Sequence, residues 1–135
     1  MKLKINTMHL HDHRFHEDAR RRGFYDIIPG LTGDMNFSHM PAGVIAGMHM
    51  HKKHTDYFAV ASGLVLFRLV TEEGQEERVT LSPHSRKTLI IPPGIWHGYK
   101  SLEPSILVFY TDTKFNTDDE FRRPTTEEEW RVPIQ

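Results

Sequence analysis

The sequence contains no cysteine. That excludes a disulfide framework, thiolate metal sites and a cysteine nucleophile. It has no excess of charge of one sign: 17 Lys and Arg oppose 18 Asp and Glu, for a formal net charge of -1. A general nucleic-acid binder carries a strongly basic footprint, so that class is excluded. It has no long hydrophobic run. The longest nearly apolar stretch, Phe58 to Phe67, is interrupted by Ser62 and Gly63 and is far too short to span a bilayer. The segment from Met1 to Asn6 has no apolar signal region. A cytoplasmic protein with no membrane partner is expected. There is also no internal repeat, no low-complexity linker and no long apolar pattern of helical period.

What is present fits one domain over residues 1–135. The chain has 9 Gly and 8 Pro, and the segments between them are short. Such spacing predicts an all-β sandwich or barrel with little helix. Strands are expected at 35–40, 44–50, 57–61, 64–70, 78–81, 88–91 and 105–110. Ser62-Gly63 reads as a tight connection and Glu72 to Glu77 as a hairpin tip. Pro124 followed by Thr125 to Glu129 has the capping pattern of one short helix. The tail 116–135 is polar. An N-terminal strand within 1–20 is expected to cover a sheet edge, exchanged between the subunits of a homodimer. If that strand runs through residue 13, three of His9, His11, His13 and His16 share a face.

The chain has 10 histidines, and histidine is the commonest metal ligand. The informative spacing runs Gly43, His49, His51, Asp56, Gly63: G-x5-H-x-H-x4-D-x6-G. Residues two apart on a strand project to one face, so His49 and His51 point the same way. Asp56 opens the next strand. Pro92-Pro93-Gly94-Ile95-Trp96-His97 supplies a further histidine from a distant strand. His49, His51, Asp56 and His97 together could hold one divalent metal, Fe, Mn, Ni or Zn, with positions left for water or substrate. Phe37 and Trp96 are expected at the mouth of the barrel, where an aromatic face can stack on a substrate ring.

The two motifs together resemble the cupin superfamily, which implies a double-stranded β-helix or jelly roll. The framework differs in places. Asp56 replaces the usual Glu, Arg86 a Gly, and Ser101 an Asn. The wording of His51-Lys52-Lys53-His54-Thr55-Asp56-Tyr57-Phe58 narrows the resemblance, as do Ile90 to Tyr99 and Asp119-Glu120-Phe121-Arg122. These are similar to the dTDP-4-dehydrorhamnose 3,5-epimerase family, and the H-x-H-K wording to dTDP-sugar 3,4-ketoisomerases. Arg22-Gly23-Phe24-Tyr25-Asp26 resembles that family's R-G-x-[FL]-x-E element.

The resemblance implies proton abstraction beside the carbonyl of a nucleotide-linked 4-keto-6-deoxy sugar. It makes His49 the base and Tyr110 the general acid, with Arg22 on the diphosphate. A proton alpha to a ketone is within reach of a positioned imidazole, and the enolate formed needs a hydrogen-bond donor. Ala46 and Asp56 stand where the epimerases have Arg and Lys, and Phe115 where they have a second Tyr. No carboxylate partner for His49 is assigned from the sequence. The loss of two cations makes the pocket friendlier to a metal. A metal-dependent cupin enzyme is therefore the alternative, and a noncatalytic cupin that binds a small ligand is the third reading.

Overall fold

The structure, a computed structural model, describes residues 8–19, 22–25, 27–28, 33–113 and 117–131. Twelve strands build it: β1 (His9–Asp12), β2 (Arg14–Glu17), β3 (Arg22–Tyr25), β4 (Asp34–Met40), β5 (Ile45–Met50), β6 (Asp56–Ser62), β7 (Val65–Val70), β8 (Glu76–Leu81), β9 (Lys87–Ile91), β10 (Trp96–Ser101), β11 (Ser105–Thr111) and β12 (Phe121–Arg122). Two five-stranded sheets have the orders β1-β9-β6-β11-β4 and β12-β5-β10-β7-β8, and β2 pairs with β3 in a small separate ribbon. Every pairing is antiparallel. This is the all-β jelly roll that the motifs implied.

Alternation decides which side chains fill the space between the sheets. Phe58 and Val60 of β6 join Val65, Phe67 and Leu69 of β7, Leu89 and Ile91 of β9, and Leu107 of β11 in the main core. Burying each such side chain contributes roughly 1.5–3 kcal/mol. The outer face of β7 is covered as well. Leu66 and Val70 pack with Met48 under Trp130, which is 1% exposed.

The strands expected from the sequence are all present, with ends shifted by a residue or two. The Ser62-Gly63 connection is present too, with Gly63 at φ +90. A Cβ there would lie 2.4 Å from the Pro104 carbonyl oxygen, so the crowding also asks for glycine. The short C-terminal helix is a 3-10 turn over Glu127–Trp130. Strands β1, β2, β3, β10 and β12 were not expected from the sequence with these bounds. The N-terminal histidines do not share one strand. The chain breaks at His13, whose Nε2 lies 2.8 Å from Thr88 Oγ1, and His16 belongs to β2. β1 pairs with β9 of its own chain. Residues 1–7, Asp26 and Phe115, and residues 116 and 132–135 of the polar tail, lie outside the described residues.

Candidate active site

The H-x-H segment is the end of β5 and the turn after it. β5 pairs with β10 so that His49 sits opposite His97. Two glycines permit this close approach. A Cβ on Gly47 would lie 2.7 Å from the Gly98 Cα, and a Cβ on Gly98 would lie 2.6 Å from the Ala46 oxygen. β6 brings Asp56 across from the other sheet. The result is a cavity of about 170 Å³ lined by His49, His51, His54, Asp56 and His97, with Tyr99 and Glu120 beside them. A larger, apolar cavity of about 220 Å³ lies near Ala59 and Val108, and His13 is its one ionisable lining group.

Asp56 is the hub. Its Oδ2 lies 3.3 Å from His51 Nε2 and 3.1 Å from His97 Nε2, and its Oδ1 lies 3.2 Å from His54 Nε2. Burial opposes ionisation of Asp56, but the His54 and His97 imidazoles against its oxygens, with the charge of His97 and His51, hold its carboxyl well below the usual carboxylate range. His54 is pushed up, chiefly by the Asp56 carboxylate 3.2 Å from its Nε2, against its own burial. His51 is pushed down, first by burial.

The opposite ring nitrogens are also fixed. His51 Nδ1 lies 2.9 Å from the Asp119 carbonyl oxygen, and His97 Nδ1 lies 2.9 Å from that of Ile95. A carbonyl only accepts, so both Nδ1 atoms carry their protons. The Nε2 atoms of both rings then face the same carboxylate. A cation between them relieves that arrangement, and a backbone carbonyl on the other nitrogen is the usual support of a metal-bound histidine. His51, Asp56 and His97 fit such an ion, with atoms all within 4.8 Å of one another, and so does the overlapping set His51, His54 and Asp119. His49 belongs to neither grouping.

His49 has a different partner. Its Nδ1 lies 3.3 Å from Glu120 Oε1, at ion-pair distance although off hydrogen-bond alignment. Burial first, then the charge of His97, pushes the His49 imidazole down, with Glu120 opposing. It is therefore neutral near pH 7 and able to accept a proton.

Glu120 and Asp119 arrive on the C-terminal segment. β12 pairs with β5, placing Phe121 opposite Met50 and Arg122 opposite His49. Met48 and Arg123 exchange backbone hydrogen bonds at 3.2 and 3.1 Å. The Asp119 carboxylate accepts from the backbone N–H groups of Lys52 and Lys53 at 2.8 and 3.0 Å, which closes the turn after His51. Sequence reasoning missed His54, Asp119 and Glu120 as site residues. The wording Asp119-Glu120-Phe121-Arg122 was the available signal.

Four expected site residues are elsewhere or undescribed. Tyr110 does not reach the cavity. On β11 it is Phe109 and Thr111 that line it. Tyr110 lies on the alternate face, 1% exposed, with its hydroxyl accepting from the Gly33 N–H. Phe37 is 70% exposed on β4. It pairs with Val108 rather than with a cavity residue. Trp96 packs on the outer face beside Met48 and Trp130, under the Arg123 guanidinium at 4.8 Å. Strand alternation is the common reason for these corrections: each side chain is one residue out of phase with the cavity. Arg22 stands opposite Glu17 in the small ribbon, and its side chain lies outside the described residues.

Residues 3–132 match the sequence model of the dTDP-4-dehydrorhamnose 3,5-epimerase family. The chain belongs to this family. Among curated proteins it is similar to the spore coat polysaccharide biosynthesis protein SpsL of Bacillus subtilis, 29% identical over 106 residues that span 71% of this chain and 70% of that one. The family fold recurs in a dTDP sugar isomerase from Desulfovibrio desulfuricans (TM-score 0.77, 23% identity, 87% of this chain and 83% of that one). It recurs too in QdtA, a sugar 3,4-ketoisomerase from Thermoanaerobacterium thermosaccharolyticum in complex with TDP (TM-score 0.79, 18% identity, 88% and 90%). No helix among the described residues is long and apolar enough to cross a membrane.

Proposed function

We propose that this member of the epimerase family moves a proton alpha to the ketone of a nucleotide-linked keto-deoxy sugar, with His49 as the base. One observation carries the assignment: the His49 imidazole stands in the cavity with a carboxylate, Glu120, 3.3 Å from its Nδ1. That partner orients the ring and stabilises the imidazolium formed when Nε2 takes the proton. The C–H electron pair becomes a C=C bond, and the carbonyl pair moves onto oxygen. Reprotonation on the other face gives the epimer; where the alpha carbon bears a hydroxyl, passage of that hydroxyl's proton to the enolate oxygen and reprotonation at the former carbonyl carbon give the isomeric ketone. His49→Asn tests this. Deuterium uptake from D2O into dTDP-4-keto-6-deoxyglucose is expected with the unaltered protein. It should fall roughly 100-fold or more in the variant; equal uptake by both would overturn the role of His49.

The paired Nε2 atoms at Asp56 favour a second feature, a divalent cation held by His51, Asp56 and His97. When bound, such an ion polarises a carbonyl oxygen. Metal content by mass spectrometry, on protein purified without a metal-affinity tag, tests it beside His51→Ala and His97→Ala. Near-stoichiometric metal lost in both variants supports the site. No metal after incubation with Fe, Mn, Ni and Zn rejects it. The assembly we propose is a homodimer, supported by the exposed Met35 and Phe37 on one sheet face.

A further inference from the structure

Proton abstraction beside a ketone leaves charge on the carbonyl oxygen, and that oxygen needs a donor. Tyr110, expected in this role, faces away from the cavity. The side-chain donors that line the cavity among the described residues can be taken in turn. The His51 and His97 Nδ1 protons are committed to backbone carbonyls, and their Nε2 atoms face Asp56. His54 is held between Asp56 and Asp119. Thr111 Oγ1 donates to the Thr113 carbonyl oxygen at 2.9 Å. His49 is the base. Tyr99 remains.

Tyr99 lies two residues beyond His97 on β10 and lines the same cavity. Its ring is fixed by Phe58 and Phe67, with centroids 6.0 and 5.9 Å away. Its hydroxyl makes no hydrogen bond to any described residue. A half-buried phenol with an uncommitted O–H, held rigidly by core aromatics, is preorganised to donate to a ligand rather than to the protein.

We propose that Tyr99 is a catalytic residue, donating its hydroxyl hydrogen bond to the substrate carbonyl oxygen as His49 removes the alpha proton. The reacting electrons move as given above. The imidazole gains the proton, the negative charge collects on oxygen, and the Tyr99 hydrogen bond stabilises it until carbon is reprotonated. This rests on the epimerase reading, and the experiment separates the two.

The Tyr99→Phe variant removes only the oxygen. Deuterium uptake from D2O into dTDP-4-keto-6-deoxyglucose is measured for the unaltered protein and the variant, beside dTDP affinity by calorimetry. The expected result is uptake by the unaltered protein, slowed about 100-fold or more in Tyr99→Phe, with dTDP affinity retained. Undiminished uptake by Tyr99→Phe overturns the role of Tyr99 and leaves the epimerase reading standing. Parallel loss of dTDP affinity makes Tyr99 a structural element of the pocket and overturns it as well. No uptake by the unaltered protein overturns the reading on which the role rests.

Discussion

At the scale of single residues, the His49–Glu120 pair makes a directional pH prediction. The base works only when neutral, so activity must fall as pH drops through the folded-state pKa of His49. Burial holds that pKa below the ordinary 6.5. The ascending limb of kcat/KM against pH is therefore expected to have its midpoint below 6.5. Glu120 opposes this shift, because its charge favours the imidazolium. Glu120→Gln should move the limb further down in pH. It should also lower the plateau by roughly 10- to 100-fold, the size of effect of a partner that orients a functional imidazole. A limb that moves upward, or does not move, would show that Glu120 does not act on His49. The framework departures noted in the sequence also have a residue-level explanation. Arg86, in place of a cupin glycine, keeps the left-handed backbone at φ 54 and ψ 41. It stacks on Phe15 at 3.6 Å. Ser101, in place of an asparagine, is fully buried, accepts from the Val44 N–H at 3.0 Å and donates to the Pro41 carbonyl at 2.6 Å.

At the scale of elements, the C-terminal segment ties the site to the fold. β12 carries Glu120 and Asp119 to the histidines, and the turn at Glu127–Trp130 fastens it. Trp130 is buried with Met48, Leu66 and Val70, and its Nε1 donates to Thr125 Oγ1 at 2.9 Å. Arg68 reaches Glu129 at 2.9 Å and Glu76 at 2.9 Å on the same face. Trp130→Ala is expected to cost about 3–5 kcal/mol. Its loosened tail should also lower deuterium uptake, because Glu120 no longer stands at His49. A chemical melt and the exchange assay check the two effects, and lost stability with full activity would mean that β12 holds Glu120 without the tryptophan anchor. This element also marks where the sequence stopped being legible. The central strands and the convergence of His51, Asp56 and His97 follow from local alternation and motif spacing. The contact of Glu120 with His49 spans the chain and has no local periodic signal. Tyr110, Phe37 and Trp96 were misplaced because aromatic type does not report strand phase. Phase is set by pairing: β11 aligns Val108 with Phe37 of β4 and with Ala59 of β6, which sends Phe109 and Thr111 inward instead.

At the scale of the whole molecule, the β4 edge of the first sheet carries exposed apolar side chains among the described residues. β4 is its edge strand, and Phe37 and Met35 stand there 70% and 51% exposed. They lie in register with Val108 and Tyr110 of β11, of which Val108 is half-buried and Tyr110 buried. An exposed edge beside an apolar face invites pairing with another chain. A second copy meeting this face across a two-fold axis would bury both side chains at once. Light scattering is expected to give a mass of twice the chain's 15.8 kDa. Phe37→Glu places a charge at the centre of the contact, where desolvating it costs several kcal/mol per subunit. That variant should run as a monomer at micromolar concentration and keep its β circular dichroism, since Phe37 contributes nothing to the core. A dimer that survives Phe37→Glu would move the interface away from β4, and a monomeric unaltered protein would remove the dimer itself.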